Sequence, residues 1–410
     1  MLKAYKYCIY PTKSQIELIE KHFGCARFVY NYFLDFRQKE YAKGKKVGYS
    51  VTQAELTKLK KLDEYKWLNE VGSQSLQMAL RSLDNAFTRF FKKKSDYPKY
   101  KSKKHFFQSF TAPQNIKIAN NRVYLPKFTK DGIKLKYHRE IPKNATLKQA
   151  TISRHNNQYF VSILVDDNIP IPKPIKAKNA VGLDMGIENF IITSDGVLYP
   201  NQKHFIKSQK RLKRLQRRFS KKQKGSKNSQ KAKLRVQKLH TKVSNQRRDY
   251  LHKISDEITN QYDIICVETL NVKGMIRNRH LSKSIADVAW SEFIRQLEYK
   301  TKWRGKTLLK IDKWFPSSQI CSNCGANSGK KPLNIRKWTC KECGITHQRD
   351  INASINIRNY GLGQIDNRNT AGTVVIQACG VPSGGVTTSY GVVASYGSMK
   401  QEAQSSLAIG

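Results

Sequence analysis

Val181-Gly182-Leu183-Asp184-Met185-Gly186-Ile187-Glu188-Asn189-Phe190-Ile191-Ile192-Thr193 reads as two β-strands joined by a short turn, with a carboxylate, Asp184, closing the first. Further along, the apolar run Ile264-Ile265-Cys266-Val267 ends on Glu268. Asp350 then precedes Ile351-Asn352-Ala353-Ser354-Ile355-Asn356-Ile357, whose spacing predicts a helix. Acids at two strand ends and a helix start are what a phosphodiesterase needs to gather two Mg²⁺ or Mn²⁺ ions, since these cations take oxygen ligands. Each acid alone has a plainer role: a strand end for Asp184, a lysine pair for Glu268, a helix cap for Asp350. Their order, strand, strand, helix, in an acid-poor chain is what raises the trio above those roles.

The chain has 410 residues, with 76 Lys+Arg against 30 Asp+Glu and a formal net charge of +46. An excess of this size points to a polyanionic partner, because a solvated surface usually carries balancing acids. It is densest over residues 201–253, which hold 20 Lys/Arg and a single acid, Asp249. Leu212, Leu215, Phe219, Leu234, Leu239 and Val243 thread an apolar stripe through that stretch, predicting two long helices with Gly225 near their turn. Arg211, Arg214, Arg217, Arg218, Lys221 and Lys222 are the candidate RNA or DNA backbone contacts. No apolar run approaches the roughly 18–20 residues that span a bilayer, and the start lacks a signal-peptide pattern. A cytoplasmic protein with no membrane partner is the expectation.

Before residue 173 the pattern is mixed. Residues 1–10 read as a strand, and Thr12 and Gln15 have capping-box spacing ahead of Ile16, Ile19, Phe23, Ala26, Val29, Phe33 and Phe36 at helical intervals. Leu76, Leu80, Leu83, Phe87 and Phe90 form a second helical stripe. From about residue 105 short β-type runs take over, including Val123–Leu125, Ile133–Leu135 and Tyr159–Val165. A small β-barrel split by a helical insert fits this order, and Ile169-Pro170-Ile171-Pro172-Lys173-Pro174 reads as a linker. A further helix is expected over Asp287–Trp303, and a strand at Leu308–Ile311.

Cys321-Ser322-Asn323-Cys324-Gly325 and Cys340-Lys341-Glu342-Cys343-Gly344 are two CxxC knuckles. Four thiolates suit one tetrahedral Zn²⁺, and each glycine permits the tight turn; with no open water position the ion is structural. Trp338, beside Lys330, Lys331, Arg336 and Lys337, either packs in the ribbon or stacks on nucleic acid.

The segments VGLDMGIENFIITSDG, IICVETLNVKGM, WSEFIRQLEYKTKWRG, FPSSQICSNCG and WTCKECGITHQRDINASINI resemble those of TnpB, the insertion-sequence-encoded ancestor of type V CRISPR effectors. The early YPTKSQIELIEKHFGCARFVYNYFL and YPKYKSKK resemble it too, so the likeness covers roughly residues 1–360. It implies a multidomain α+β chain: a wedge β-barrel at 1–11 and 101–172, a helical recognition insert at 12–100, an RNase H-like (RuvC) nuclease domain at 173–313 and 345–362, a zinc ribbon at 314–344, and a disordered tail at 363–410. Carried over, Asp184, Glu268 and Asp350 are the catalytic, magnesium-binding acids, and Cys321, Cys324, Cys340 and Cys343 hold zinc. The last acid sits in His347-Gln348-Arg349-Asp350, where relatives have an acid in place of Gln348.

The same resemblance implies RNA-guided cleavage of double-stranded DNA beside a short flanking motif, with guide RNA transcribed from the transposon end. Tyr49, Ser73, Gln74, Gln77 and Thr111 stand where motif readers would. The tail's weak patterning would follow from overlap with the guide RNA gene. The rival readings are a DDE-type strand-transfer transposase and a cleavage-free, RNA-guided repressor. A rolling-circle enzyme needs a paired-histidine site, and the nine histidines include no His-x-His. A repressor would be expected to lose one of the three acids.

Overall fold

The computed structural model describes residues 1–103, 107–128, 131–332 and 334–369. It is a mixed α+β chain. Strand β1 (Leu2–Tyr10) leads into helices α1 (Lys13–Ala42) and α2 (Tyr49–Leu59), a 3-10 stretch (Asp63–Glu70) and α3 (Ser73–Phe91). Strands β2 (Phe107–Ala112), β3 (Lys117–Ala119), β4 (Arg122–Tyr124), β5 (Ile133–Leu135), β6 (Thr146–His155) and β7 (Gln158–Asp166) follow. β1 is hydrogen-bonded between β7 and β5, so the helices are inserted within one seven-stranded sheet of order β2-β6-β7-β1-β5-β4-β3. In hydrogen bonds this sheet has two edges, β2 and β3, among the described residues, where the sequence suggested a barrel.

The Thr12 capping box starts α1 with both reciprocal bonds in place. Ile19, Phe23, Ala26, Val29 and Phe33 bury one face of α1, and Leu76, Leu80 and Leu83 bury the matching face of α3. The two helices run side by side, tied by Arg37 to Asp84 at 2.7 Å.

A second sheet comprises β8 (Ala180–Met185), β9 (Asn189–Thr193), β10 (Leu198–Pro200), β11 (Ile264–Val267) and β12 (Thr307–Lys310). Its order is β10-β9-β8-β11-β12: β8, β11 and β12 are parallel, and β9 and β10 antiparallel. β11 is buried along its whole length, which explains its unbroken apolar run. Between β10 and β11 stand α4 (His204–Ser220) and α5 (Lys227–Gln261), packed along Leu212, Leu239 and Val243, with Gly225 at φ +87° in their turn.

After β11 come α6 (Val272–Met275), α7 (Ser282–Val288) and α8 (Trp290–Arg304). The single helix expected over 287–303 is two, because Ala289 adopts a left-handed conformation, φ 57°. Asp287 explains the break: buried, it accepts from the Phe205 backbone N–H at the start of α4 and pairs with Arg247 of α5 at 2.6 Å. The hairpin β13 (Lys337–Thr339) and β14 (Thr346–Gln348) precedes α9 (Arg349–Asn369). α9 runs past residue 362, so residues 363–369 are helical where a disordered tail was expected: their polar sequence hides the helix, yet no proline interrupts it. Residues 370–410 of that expected tail lie outside the described residues.

α9 packs across β8 at Gly182. A Cβ there would lie 1.9 Å from the Ser354 carbonyl oxygen and 2.7 Å from the Arg358 nitrogen, so glycine is what lets helix and sheet meet.

Candidate active site and metal centre

Asp184 lies near the end of β8, and Glu268 follows β11, its parallel neighbour in register. Strands of one direction deliver their last residues to one edge, and there the two carboxyls meet. Burial raises the pKa of Glu268 well above the usual carboxylate range, and the Asp184 charge raises it further. Burial likewise raises the pKa of Asp184, and the neighbouring Glu268 carboxyl acts against that rise. The negative charge of Asp350, in the first turn of α9, acts on Asp184 as well. Asp350 is itself engaged by Arg336, 3.2 Å away, and the same guanidinium reaches Glu188 at 2.6 Å. Asp184 and Glu268 thus meet at the ends of neighbouring strands, and the Asp350 charge reaches Asp184, but among the described residues the three acids do not form a group whose ligand atoms all lie within 4.8 Å of one another. Arg336, from the approach to β13, caps the last of them.

The four cysteines form the described group of His, Cys, Asp or Glu side chains whose ligand atoms all lie within 4.8 Å of one another. Sγ of Cys321 and Cys343 are 3.7 Å apart, as are Sγ of Cys324 and Cys340. A tetrahedron with Zn–S of about 2.3 Å has an edge of about 3.8 Å, so the spacing fits one Zn²⁺. Gly325 (φ +77°) and Gly344 (φ +71°) make the knuckle turns. Backbone N–H groups of Cys343 and Glu342 lower the Cys340 thiol to about 6, favouring the thiolate.

His347 places Nε2 3.0 Å from Cys321 Sγ and packs against Trp338. Trp338 is buried among the cysteines with Lys331 over its ring, so here it packs within the four-cysteine unit. Asn352 of α9 accepts from Ser322 N–H and donates to the Ile320 carbonyl, fixing the first knuckle onto the helix that carries Asp350. Sequence reading names Arg336 only as a basic neighbour of the cysteine pairs, and misses its bond to Asp350 as well as His347 and Asn352 as site residues. The one available signal was the run from His347 to Asp350, which ends one unit and begins the next.

The expected nucleic-acid contacts are divided. Arg211, Arg214, Arg217 and Arg218 of α4, with Lys221 and Lys222 beyond it, are all exposed. Gln74 and Gln77 share a face of α3 with Arg81, which bonds the Tyr49 hydroxyl at 3.3 Å. Ser73 accepts from Lys60 at 2.7 Å and lines, with Gln74, a cleft of about 200 Å³ against β2. Thr111 points away from that cleft, bonded to Thr151 at 3.0 Å, while its neighbours Phe110 and Ala112 face inward.

Residues 160–279 match the family model OrfB_IS605, described as "Probable transposase", and residues 290–357 match "Cas12f1-like, TNB domain". Residues 1–46 match a model described as a helix-turn-helix domain, although that span here is β1 followed by the single helix α1. A Streptomyces pristinaespiralis protein named "Putative RNA-guided DNA endonuclease" is 40% identical over 366 residues, 88% of this chain and 89% of its own length. InsQ of Escherichia coli K12, named in the same words, is 32% identical over 374 residues, 87% of this chain and 91% of its own. A cryo-EM structure of the Cas12f1–sgRNA–target DNA complex covers 88% of this chain and 99% of its own, at 15% identity and a TM-score of 0.34.

These matches set the class: OrfB proteins of the IS605 type, here with Asp184 and Glu268 at neighbouring strand ends and a four-cysteine group ahead of the last helix. Within that class, the chain belongs to the TnpB family.

Proposed function

We propose that this TnpB-family chain is an RNA-guided DNA endonuclease that cuts double-stranded DNA beside a short flanking motif, using Asp184, Glu268 and Asp350. The observation that carries this reading is the register of parallel β8 and β11, which sets Asp184 and Glu268 side by side, with Asp350 in the first turn of the helix that packs on β8. Carboxyl groups brought together in this way, in a chain of net charge +46, suit a site completed by divalent cations. When bound, two Mg²⁺ or Mn²⁺ ions supply water activation and charge neutralisation at phosphorus.

The chain's own residues do the rest. Asp184 and Glu268 hold two ligand positions rigidly because their strands are buried, and Asp350 adds the third from the start of α9. The exposed cations of α4 and α5 bind RNA phosphates. In domain terms, the second sheet with α9 is the RNase H-like nuclease unit, 173–313 and 345–362, and the four-cysteine insert, 314–344, is a zinc ribbon. The first sheet, 1–11 and 101–172, is the wedge, and 12–100 the recognition insert. On this reading Tyr49, Ser73, Gln74 and Gln77 face the flanking motif, and the guide RNA comes from the transposon end.

The test is to express the gene within its native flanking DNA, sequence the RNA bound to the purified protein, and challenge the complex with a plasmid library matching that RNA. One abundant RNA and Mg²⁺-dependent double-strand breaks are expected, and Asp184→Ala should abolish breaks while keeping the RNA. Undiminished cleavage by Asp184→Ala overturns the catalytic assignment.

A further inference from the structure

At the far end of the α1–α3 pair from the β1–α1 junction, aromatic rings gather on the surface. Phe87 stacks with Phe91 at 6.3 Å, Phe90 lies 5.3 Å from Phe91, and Tyr97 is edge-on to Phe87 and Phe90 at 5.7 and 5.2 Å. Arg37 lies over the Phe87 ring, which brings the end of α1 alongside, and Tyr41 is on the next turn of that helix. Phe91 and Tyr41 are each 73% exposed, among the most exposed large apolar side chains described. Phe87, Phe90, Phe91 and Tyr97 hold one another in place, while Phe91, Tyr97 and, on α1, Tyr41 stay exposed.

The rim is cationic. Lys45, Lys46, Arg89, Lys92, Lys93 and Lys94 are exposed and form no ion pair among the described residues. The nearby acids are largely engaged: Asp84 by Arg37, Asp35 by Lys39 and Glu40 by Lys43, leaving Asp96. Fixed aromatic faces flanked by cations without ion pairs are the two elements that bind single-stranded nucleic acid, one stacking bases and the other tracking phosphates.

We propose that this aromatic tip is a docking surface for unpaired bases of the RNA that the chain carries, an inference that rests on the RNA-guided reading above. A second copy is disfavoured because a self-complementary contact would bring two cationic rims together. Target DNA is disfavoured because it visits transiently, and an exposed apolar surface of this kind calls for a resident cover.

The experiment compares the wild-type ribonucleoprotein with a Tyr41→Ala/Phe91→Ala variant, both side chains being too exposed for the change to unfold the chain. Affinity for the co-purified RNA is measured across salt concentrations. A loss of roughly tenfold with an unchanged salt slope is expected, because stacking contributes affinity without releasing counterions. Unchanged affinity overturns the proposal and leaves RNA guidance standing. A loss accompanied by a reduced slope also overturns it, assigning the tip to charge alone. Dimerisation of the RNA-free protein that the variant abolishes gives the surface to a second copy. Failure to recover any specific RNA would instead sink the reading on which the proposal rests.

Discussion

At the residue scale, Glu268 shows how burial and a like charge prepare a site. Its raised pKa means that the folded chain holds a proton that the unfolded chain has released above the ordinary carboxylate range. Unfolding then releases that proton, so stability of the cation-free protein is full below the unfolded pKa and falls as pH rises through the folded one. Melting temperature measured without divalent cations should drop across that window, and Glu268→Gln should flatten the drop. Added Mg²⁺ should restore the wild-type melting temperature on the alkaline side by binding the folded form alone. The Arg336 guanidinium competes for Asp350, so Arg336→Ala should lower the Mg²⁺ concentration needed for that thermal shift. An unchanged requirement would show that the ion pair, half-exposed on the Arg336 side, contributes nothing, as many surface pairs do.

Elements succeed or fail here through close approach. Gly182 lets α9 lie against β8, and that contact sets where Asp350 stands relative to Asp184. Gly182→Ala should cost about 1–3 kcal/mol by overpacking, read as a lower denaturation midpoint, and should weaken cleavage more than RNA binding. The ribbon is an element of a different kind, since its described core is small: Cys321, Trp338 and Cys340, with Ala326 and Cys343 packed against them. With so little core, a zinc ion held by the four cysteines would be the main stabilising element. Cys340→Ser should reduce bound zinc from one per chain to none by elemental analysis. Because Asn352 ties the first knuckle to α9, cleavage should fall with it, and full activity in a zinc-free protein would contradict that coupling.

For the whole molecule, charge sets the behaviour. On the proposed reading the exposed arginines of α4 are independent phosphate contacts, so replacing Arg211, Arg214, Arg217 and Arg218 with Gln should reduce the slope of log affinity against log salt by roughly three. That differs from the aromatic tip, where affinity should fall at constant slope. Among the described residues no helix is long and apolar enough to cross a membrane. The two sheets have separate cores, one closed by α1 and α3 and the other by α5 and α8.

Much of this was legible in the residues because the signals are local. CxxC spacing brings two sulfurs of each pair to one side of an ion, a capping box starts α1, and period 3.6 marks the buried faces of α1 and α3. The order of the three acids, two strand ends and a helix start, could be read from the residues, and motif resemblance supplied their role. What sequence could not supply depends on contacts between segments far apart in the chain. Arg336 reaches both Glu188 and Asp350 only because the hairpin folds back beside β8. The break at Ala289 follows from Asp287 being claimed by α4 and α5, and the separation of Thr111 from Ser73 and Gln74 follows from strand alternation in a register that other strands impose. Periodicity records which side of an element is buried; which neighbour it meets is decided by packing, where long-range burial outweighs local preference.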